Sequence, residues 1–218
     1  MKIAYIILAH QYPEQLARLI LRLNTPNAIF LVHIDKKTGN GLYEQVTGQL
    51  SHFANVRFLK RYKSCWGSFG VVQATLEGIK EIVEKNIHCD YIVLLTGQDY
   101  PIKSNSHLKE FFNEHQGKSF INHFSLPAPP GWQNGGMDRI EYWHFRFFNR
   151  RFFFPPKSNS FIKRPFPQGF KPFGGSAYWA LTREAVEYIY NFALEQRKLI
   201  EFFKFVDCLM NFSFKQFC

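Results

Sequence analysis

Three apolar runs in this sequence end on side chains able to bind or transfer chemical groups. IAYIILA (residues 3–9) is followed by His10, AIFLVHI (28–34) by Asp35, and YIVLLTG (91–97) by Gln98 and Asp99. An aspartate at the end of a second buried strand commonly accepts hydrogen bonds from a ribose or a base. A turn or a helix cap accounts for Asp35 equally well. The stretch TGQDYPIK carries more information, because Pro101 stiffens its exit and Lys103 adds charge. A rigid polar loop beside a strand end is a frequent home for binding residues.

Spacing removes other chemistries. No G-x-G-x-x-G and no G-x-x-x-x-G-K-[ST] occurs, so the chain has neither an ordinary dinucleotide site nor a P-loop. There is no D-x-D, and the five aspartates, Asp35, Asp90, Asp99, Asp138 and Asp207, are isolated from one another. A paired-carboxylate site for Mg²⁺ or Mn²⁺ is therefore not visible, and neither metal nor cofactor is expected. Cys65, Cys89, Cys208 and Cys218 fall at no metal-ligand spacing and form no C-x-x-C. They read as free thiols of a reducing compartment.

Net charge is +10 with 25 phenylalanines. The excess is local: Arg139 to Lys171 holds eight Lys and Arg against Glu141 alone, interleaved with phenylalanines. Such a segment can track phosphates, stack sugars or bases, or rest on anionic lipid. It reads equally well as a loop whose rings fill core while its charges face water. Nothing like an RNP or helix-turn-helix motif is present, so no nucleic-acid partner is expected.

The elements that must position these residues follow from periodicity. The runs at 3–9, 28–35 and 90–97 are buried strands, with a shorter one, VRFL, at 56–59. A helix starts at Pro13 with Glu14 beside its positive end, and Leu16, Leu19, Ile20 and Leu23 form its apolar face. A weaker helix is expected near 40–53, and a long one from Ser68, with Val72, Leu76, Ile79 and Val83 on one side. Alternation through residue 97 predicts a parallel α/β sheet whose ligands bind outside the carboxyl ends of the strands. Beyond residue 118 the sequence turns irregular and rich in Pro and Gly. It recovers as a glycine turn, a strand from Ala177 to Leu181, and a helix capped by Thr182 with Glu184 in its first turn. There is no internal repeat, and 218 residues suit one domain. No run is long enough to cross a bilayer, and the first apolar run lacks a small-residue cleavage site. A cytoplasmic protein is expected, with peripheral contact at the inner face of a membrane.

AYIILAHQYPEQLARLI, FLVHIDKK, CWGSFGVVQATL, LLTGQDYPIKS and GGSAYWALTREAVEYI, in this order, resemble the core-2/I-branching β-1,6-N-acetylglucosaminyltransferases. These belong to glycosyltransferase family 14, which also contains the peptide O-xylosyltransferases. The resemblance implies a GT-A-like, Rossmann-like nucleotide-sugar domain, mostly parallel sheet flanked by helices. It also implies inverting, metal-independent transfer of N-acetylglucosamine from a UDP-sugar donor to a hydroxyl of a glycan acceptor. UDP-xylose is the alternative donor, and a non-catalytic UDP- or glycan-binding remnant the alternative role. Without a metal, Lys and Arg must neutralise the departing diphosphate. By the same resemblance, residues 1–117 form the nucleotide-binding half and 118–205 the acceptor-side half, and His10, Asp35, Trp66, Gly67 and Ser68 face the donor. Gln98, Asp99 and Lys103 form the loop under the active site. Arg139, Glu141, Tyr142, Ser176 and Tyr178 lie on the acceptor side.

In that family the general base is the Glu of a Pro-Asp-Glu placed shortly after the helix that follows G-S-A-Y. Here VDCLMNFSFKQFC (206–218) stands in that place and holds no Glu. With suitable codons, a shifted frame from the end of codon 208 spells Pro-Asp-Glu-Phe-Phe-Phe-Gln-Thr-Val-Leu. The expectation is a frameshift before Leu209, an aberrant tail over 206–218, and a domain incomplete at its C-terminus. Losing a positioned base typically lowers the rate by about 10²- to 10⁴-fold.

Overall fold

A computed structural model describes residues 1–65, 67–128, 133–147, 150–156 and 162–207. Trp66 and the tail from Cys208 to Cys218 lie outside the described residues. In chain order the elements are β1 (Ile3–Ala9), α1 (Pro13–Leu23), β2 (Ala28–Ile34), α2 (Gly39–Leu50), β3 (Val56–Phe58), α3 (Phe69–Glu84) and β4 (Tyr91–Thr96). They continue with α4 (Asn105–Glu114), β5 (Phe120–Ser125), α5 (Asp138–Glu141), β6 (Trp143–Phe147), β7 (Arg150–Phe154), β8 (Phe173–Thr182), α6 (Arg183–Glu195) and α7 (Arg197–Phe203).

Six strands form one sheet in the order β3-β2-β1-β4-β8-β5. The pairs among β3, β2, β1 and β4 are parallel, whereas β8 runs antiparallel to both β4 and β5. The mostly parallel order and flanking helices are those of the expected GT-A-like, Rossmann-like domain. A central strand covered on both faces must be apolar at every position, and β1 meets this. Ala4 and Ile6 join the core beneath α3 and α6, while Ile3, Tyr5, Ile7 and Ala9 join the core beneath α1 and α2. The face read for α1 is fully buried at Leu16, Leu19, Ile20 and Leu23.

Three readings change. The stripe of α3 is broader than a surface helix needs, and Val71, Val72, Ala74, Thr75, Gly78, Ile79 and Ile82 are buried. Leu76 and Val83 are only half-buried, because α3 lies between the sheet and α6 and is centred on β1. The expected glycine turn before Ala177 is strand: β8 already begins at Phe173. A Cβ on Gly174 would sit 2.9 Å from Cε2 of Phe124 on β5, so the glycine lets that ring pack over the strand. Finally, the region after 118 contains β5 and a separate antiparallel hairpin, β6–β7. Among the described residues no helix is long and apolar enough to cross a membrane.

Val206 and Asp207, which open the final segment, are buried at 3% and 9% exposure. Val206 joins the core beneath α6. Arg164 is also buried, its guanidinium 3.6 Å from the centroid of Phe202, with Nη2 donating to the Phe202 carbonyl. Burial lowers its pKa to about 10.

Candidate active site

Parallel pairing brings the ends of β1, β2 and β4 level. Beyond the ladder, Asp35 N–H donates to Ala9 O (2.8 Å) and Gly97 N–H to Leu8 O (2.9 Å), fixing the first loop residues. Asp35 is 5% exposed. Its Oδ1 accepts from the backbone N–H of Lys37 (2.8 Å) and of Ser64 (3.1 Å). Arg61 clamps the same exit from below, donating to the carbonyls of Ile34, Asp35 and Gly39. Asp35 therefore caps a turn, as one reading of it had it. It also lines a cleft, with a carboxylate whose orientation the backbone sets.

The inner part of that cleft, ≈ 280 Å³, is bordered by His10, His33, Asp35, Ser64, Gln98 and Tyr178. It runs into an outer part of ≈ 500 Å³ that shares His10, Asp35 and Ser64 and adds Lys37, Cys65, Arg146 and Arg151. Those two arginines also border a third recess of ≈ 400 Å³, with Lys63, Ser68, His144 and Asp207. One wall is thus the carboxyl edge of the sheet, and the other is the β6–β7 hairpin.

His33 forms part of the floor. It is 1% exposed, and its Nε2 accepts from the Tyr62 backbone N–H at 2.9 Å, which places the ring proton on Nδ1. Burial lowers its pKa to about 4; the Asp35 carboxylate opposes this, Arg61 adds a smaller lowering, and Glu77 opposes it less again. Tyr178, on the sheet side, has its pKa raised by burial and by the Asp99 carboxylate, with a hydrogen bond to Thr96 acting the other way.

The residues singled out from sequence divide accordingly. His10, Asp35, Gln98 and Tyr178 meet in the inner cleft, and Ser68 borders the third recess. Gly67 sits at φ 72°, a left-handed backbone that favours glycine. Ser68 Oγ donates to Cys65 O (2.7 Å) and accepts from Cys65 N–H (3.1 Å), closing the same turn. Asp99 Oδ2 accepts from Thr96 N–H at 2.7 Å and shapes the β4 exit. Lys103 is exposed, and its carbonyl accepts from Arg22 at 2.7 Å. Ser176 Oγ accepts from Tyr178 N–H at 3.2 Å. Glu141 pairs with Lys163 at 2.8 Å, Tyr142 is buried, and the Arg139 carbonyl accepts from Asp207 N–H at 3.2 Å. None of these last six borders the three connected recesses.

His33, Lys37, Ser64, Arg146, Arg151 and Asp207 were not singled out. His33 carried a signal, since it lies two residues before Asp35 and period-2 alternation puts both on one side of β2. Arg146 and Arg151 required the hairpin register. Among the described residues no group of three or more His, Cys, Asp or Glu side chains could hold a metal ion.

The model of the Core-2/I-Branching enzyme family matches residues 3–211, and the chain belongs to that family. Over 193 residues it is 28% identical to xylosyltransferase 2 of Rattus norvegicus, covering 86% of this chain and 21% of the relative. Over 188 residues it is 26% identical to the human N-acetyllactosaminide β-1,6-N-acetylglucosaminyl-transferase, covering 86% and 45%. Over 203 residues it is 27% identical to β-1,3-galactosyl-O-glycosyl-glycoprotein β-1,6-N-acetylglucosaminyltransferase 3 of Rattus norvegicus, covering 93% and 44%. The chain thus spans less than half the length of these curated relatives. The crystal structure of a 4-diphosphocytidyl-2C-methyl-D-erythritol synthase from Anaerococcus prevotii superposes over 93% of this chain and 82% of its own, at 12% identity and a TM-score of 0.45.

Proposed function

We propose that the cleft binds a UDP-sugar and that the family chemistry is inverting, metal-independent transfer of N-acetylglucosamine to a hydroxyl of a glycan acceptor. The observation that carries this is the polarity of the cleft. Its inner part offers a backbone-anchored carboxylate, a neutral histidine and a glutamine, groups suited to a base and a ribose. Its outer part offers Lys37, Arg146 and Arg151, charges suited to a diphosphate in place of a metal.

In such a transfer the acceptor oxygen attacks the anomeric carbon, the bond to UDP breaks, and a base takes the hydroxyl proton. Residues 208–218 contain no carboxylate. Asp207 is held by two arginines and is poorly placed to act as that base.

Calorimetry with uridine and UDP, followed by assay of UDP release from UDP-N-acetylglucosamine and UDP-xylose, tests the reading. Micromolar binding with release from UDP-N-acetylglucosamine supports it, and faster release from UDP-xylose reassigns the donor. Binding without release from either leaves a UDP-binding module. No binding of uridine or UDP refutes the site.

A further inference from the structure

Arg146 and Arg151 are direct partners in the antiparallel ladder of β6 and β7. Like charges at directly opposed positions destabilise a ladder, so such a pair calls for an anion between them. Asp207, beyond the end of α7, provides one. Its Oδ1 accepts from Arg146 Nη2 at 3.1 Å and its Oδ2 from Arg151 Nη1 at 2.8 Å. The Asp207 and Arg146 side chains are 11% and 23% exposed, whereas Arg151 is 55% exposed.

One carboxylate neutralises one guanidinium, so a positive charge is left over at this wall. Lys37 borders the same outer cleft, and Lys63 borders the adjoining recess, where Lys204 is paired with Glu201. Each guanidinium has five N–H donors in a planar fork, which matches the oxygens of phosphate as well as those of carboxylate. A diphosphate brings more negative charge and more acceptor oxygens than Asp207 does.

We propose that the Arg146–Arg151 pair is an anion subsite which Asp207 occupies as an internal counter-ion, and that the diphosphate of a nucleoside-diphosphate donor takes the pair over from it. The proposal rests on the UDP-sugar reading of the cleft. In it, Asp207 keeps the hairpin wall assembled while the cleft is empty and competes with the ligand for the same cations. The arginines confer preference for UDP over uridine, while Asp35 and the inner cleft hold the nucleoside.

The test is calorimetry on the full chain with uridine, UDP and inorganic pyrophosphate, for the wild type and for Arg146→Gln/Arg151→Gln, Asp207→Asn and the combined triple variant. The double variant is expected to lose about 10- to 100-fold in UDP affinity and to retain uridine affinity. Asp207→Asn is expected to raise UDP affinity severalfold without moving that of uridine. The triple variant, whose ladder carries neither the repulsion nor the counter-ion, guards against misfolding of the double variant and is expected to show the same UDP loss.

Unchanged UDP affinity in the arginine variants, or equal losses for UDP and uridine, overturns the proposal. So does weaker UDP binding in Asp207→Asn. Pyrophosphate binding that disappears with the arginines, while uridine binds no form of the protein, would sink the UDP-sugar reading and leave the anion subsite standing.

Discussion

Lowering the pH from 7 to 5 should weaken the folded state through His33, by an amount that its environment sets. The folded-state pKa is about 4 against 6.5 for a free histidine. Between those values the unfolded chain holds a proton that the folded chain does not, so stability falls as pH falls and rises as pH rises. The linkage expression gives a penalty of about 0.2 kcal/mol at pH 7 and about 2 kcal/mol at pH 5. For a chain of this size that lowers the unfolding midpoint by about 4–8 °C. His33→Gln isolates the effect, because glutamine keeps an acceptor for Tyr62 N–H and does not titrate. Urea unfolding at pH 7, 6 and 5 should show wild type losing about 2 kcal/mol more than the variant over that range. Parallel losses in the two proteins would refute the neutral, acceptor-only role of Nε2. So would a titration of the His33 ring in the folded protein near 6.5.

A Cβ on Gly70 would stand 2.1 Å from the Lys63 carbonyl oxygen, so Gly70→Ala should cost about 1–3 kcal/mol in urea unfolding and weaken uridine binding by displacing Ser64. Asp35→Asn keeps one acceptor but loses the charge that two backbone N–H groups address; it should cost about 1–2 kcal/mol and lower uridine affinity about tenfold, read by unfolding and calorimetry. Arg164→Lys gives up a planar contact 3.6 Å from the Phe202 centroid and should lower stability by about 1–2 kcal/mol in the same assay. Ser104→Ala removes the acceptor for His107 N–H at the start of α4 and should cost about 1 kcal/mol, with uridine affinity unchanged.

The readable part of the fold is the part whose burial is decided within one element. Strands β1 and β2 lie between helices on both faces, so nothing polar interrupts them before His33, and their identity is plain from a seven-residue run. Thr182 announced α6 through its own side chain, which accepts from Ala185 N–H at 3.3 Å. By contrast, FINHFS reads as irregular because only its pairing with β8 makes β5 a strand, and half of its residues are exposed. Every described residue of β7 is exposed. No burial pattern could have revealed that strand. The same division runs through the site. His10, Asp35 and Gln98 follow from the rule that parallel strands present ligands at their carboxyl ends. Arg146 and Arg151 lie five positions apart in sequence, and only the hairpin register turns a basic stretch into a facing pair.

The two walls of the cleft therefore differ in how firmly they are held. The sheet wall is fixed by backbone hydrogen bonds to Asp35 and by a core packed on both sides. An isolated two-stranded hairpin is marginal by itself. This one is tied down by the Asp207 bridge and by the Trp143 and Phe205 rings near Arg164. Placing the cations on the less firmly held wall lets them respond to an incoming anion without disturbing the groups that suit a base. Under the UDP-sugar proposal, that arrangement fits a site that releases its diphosphate product as readily as it admits the donor.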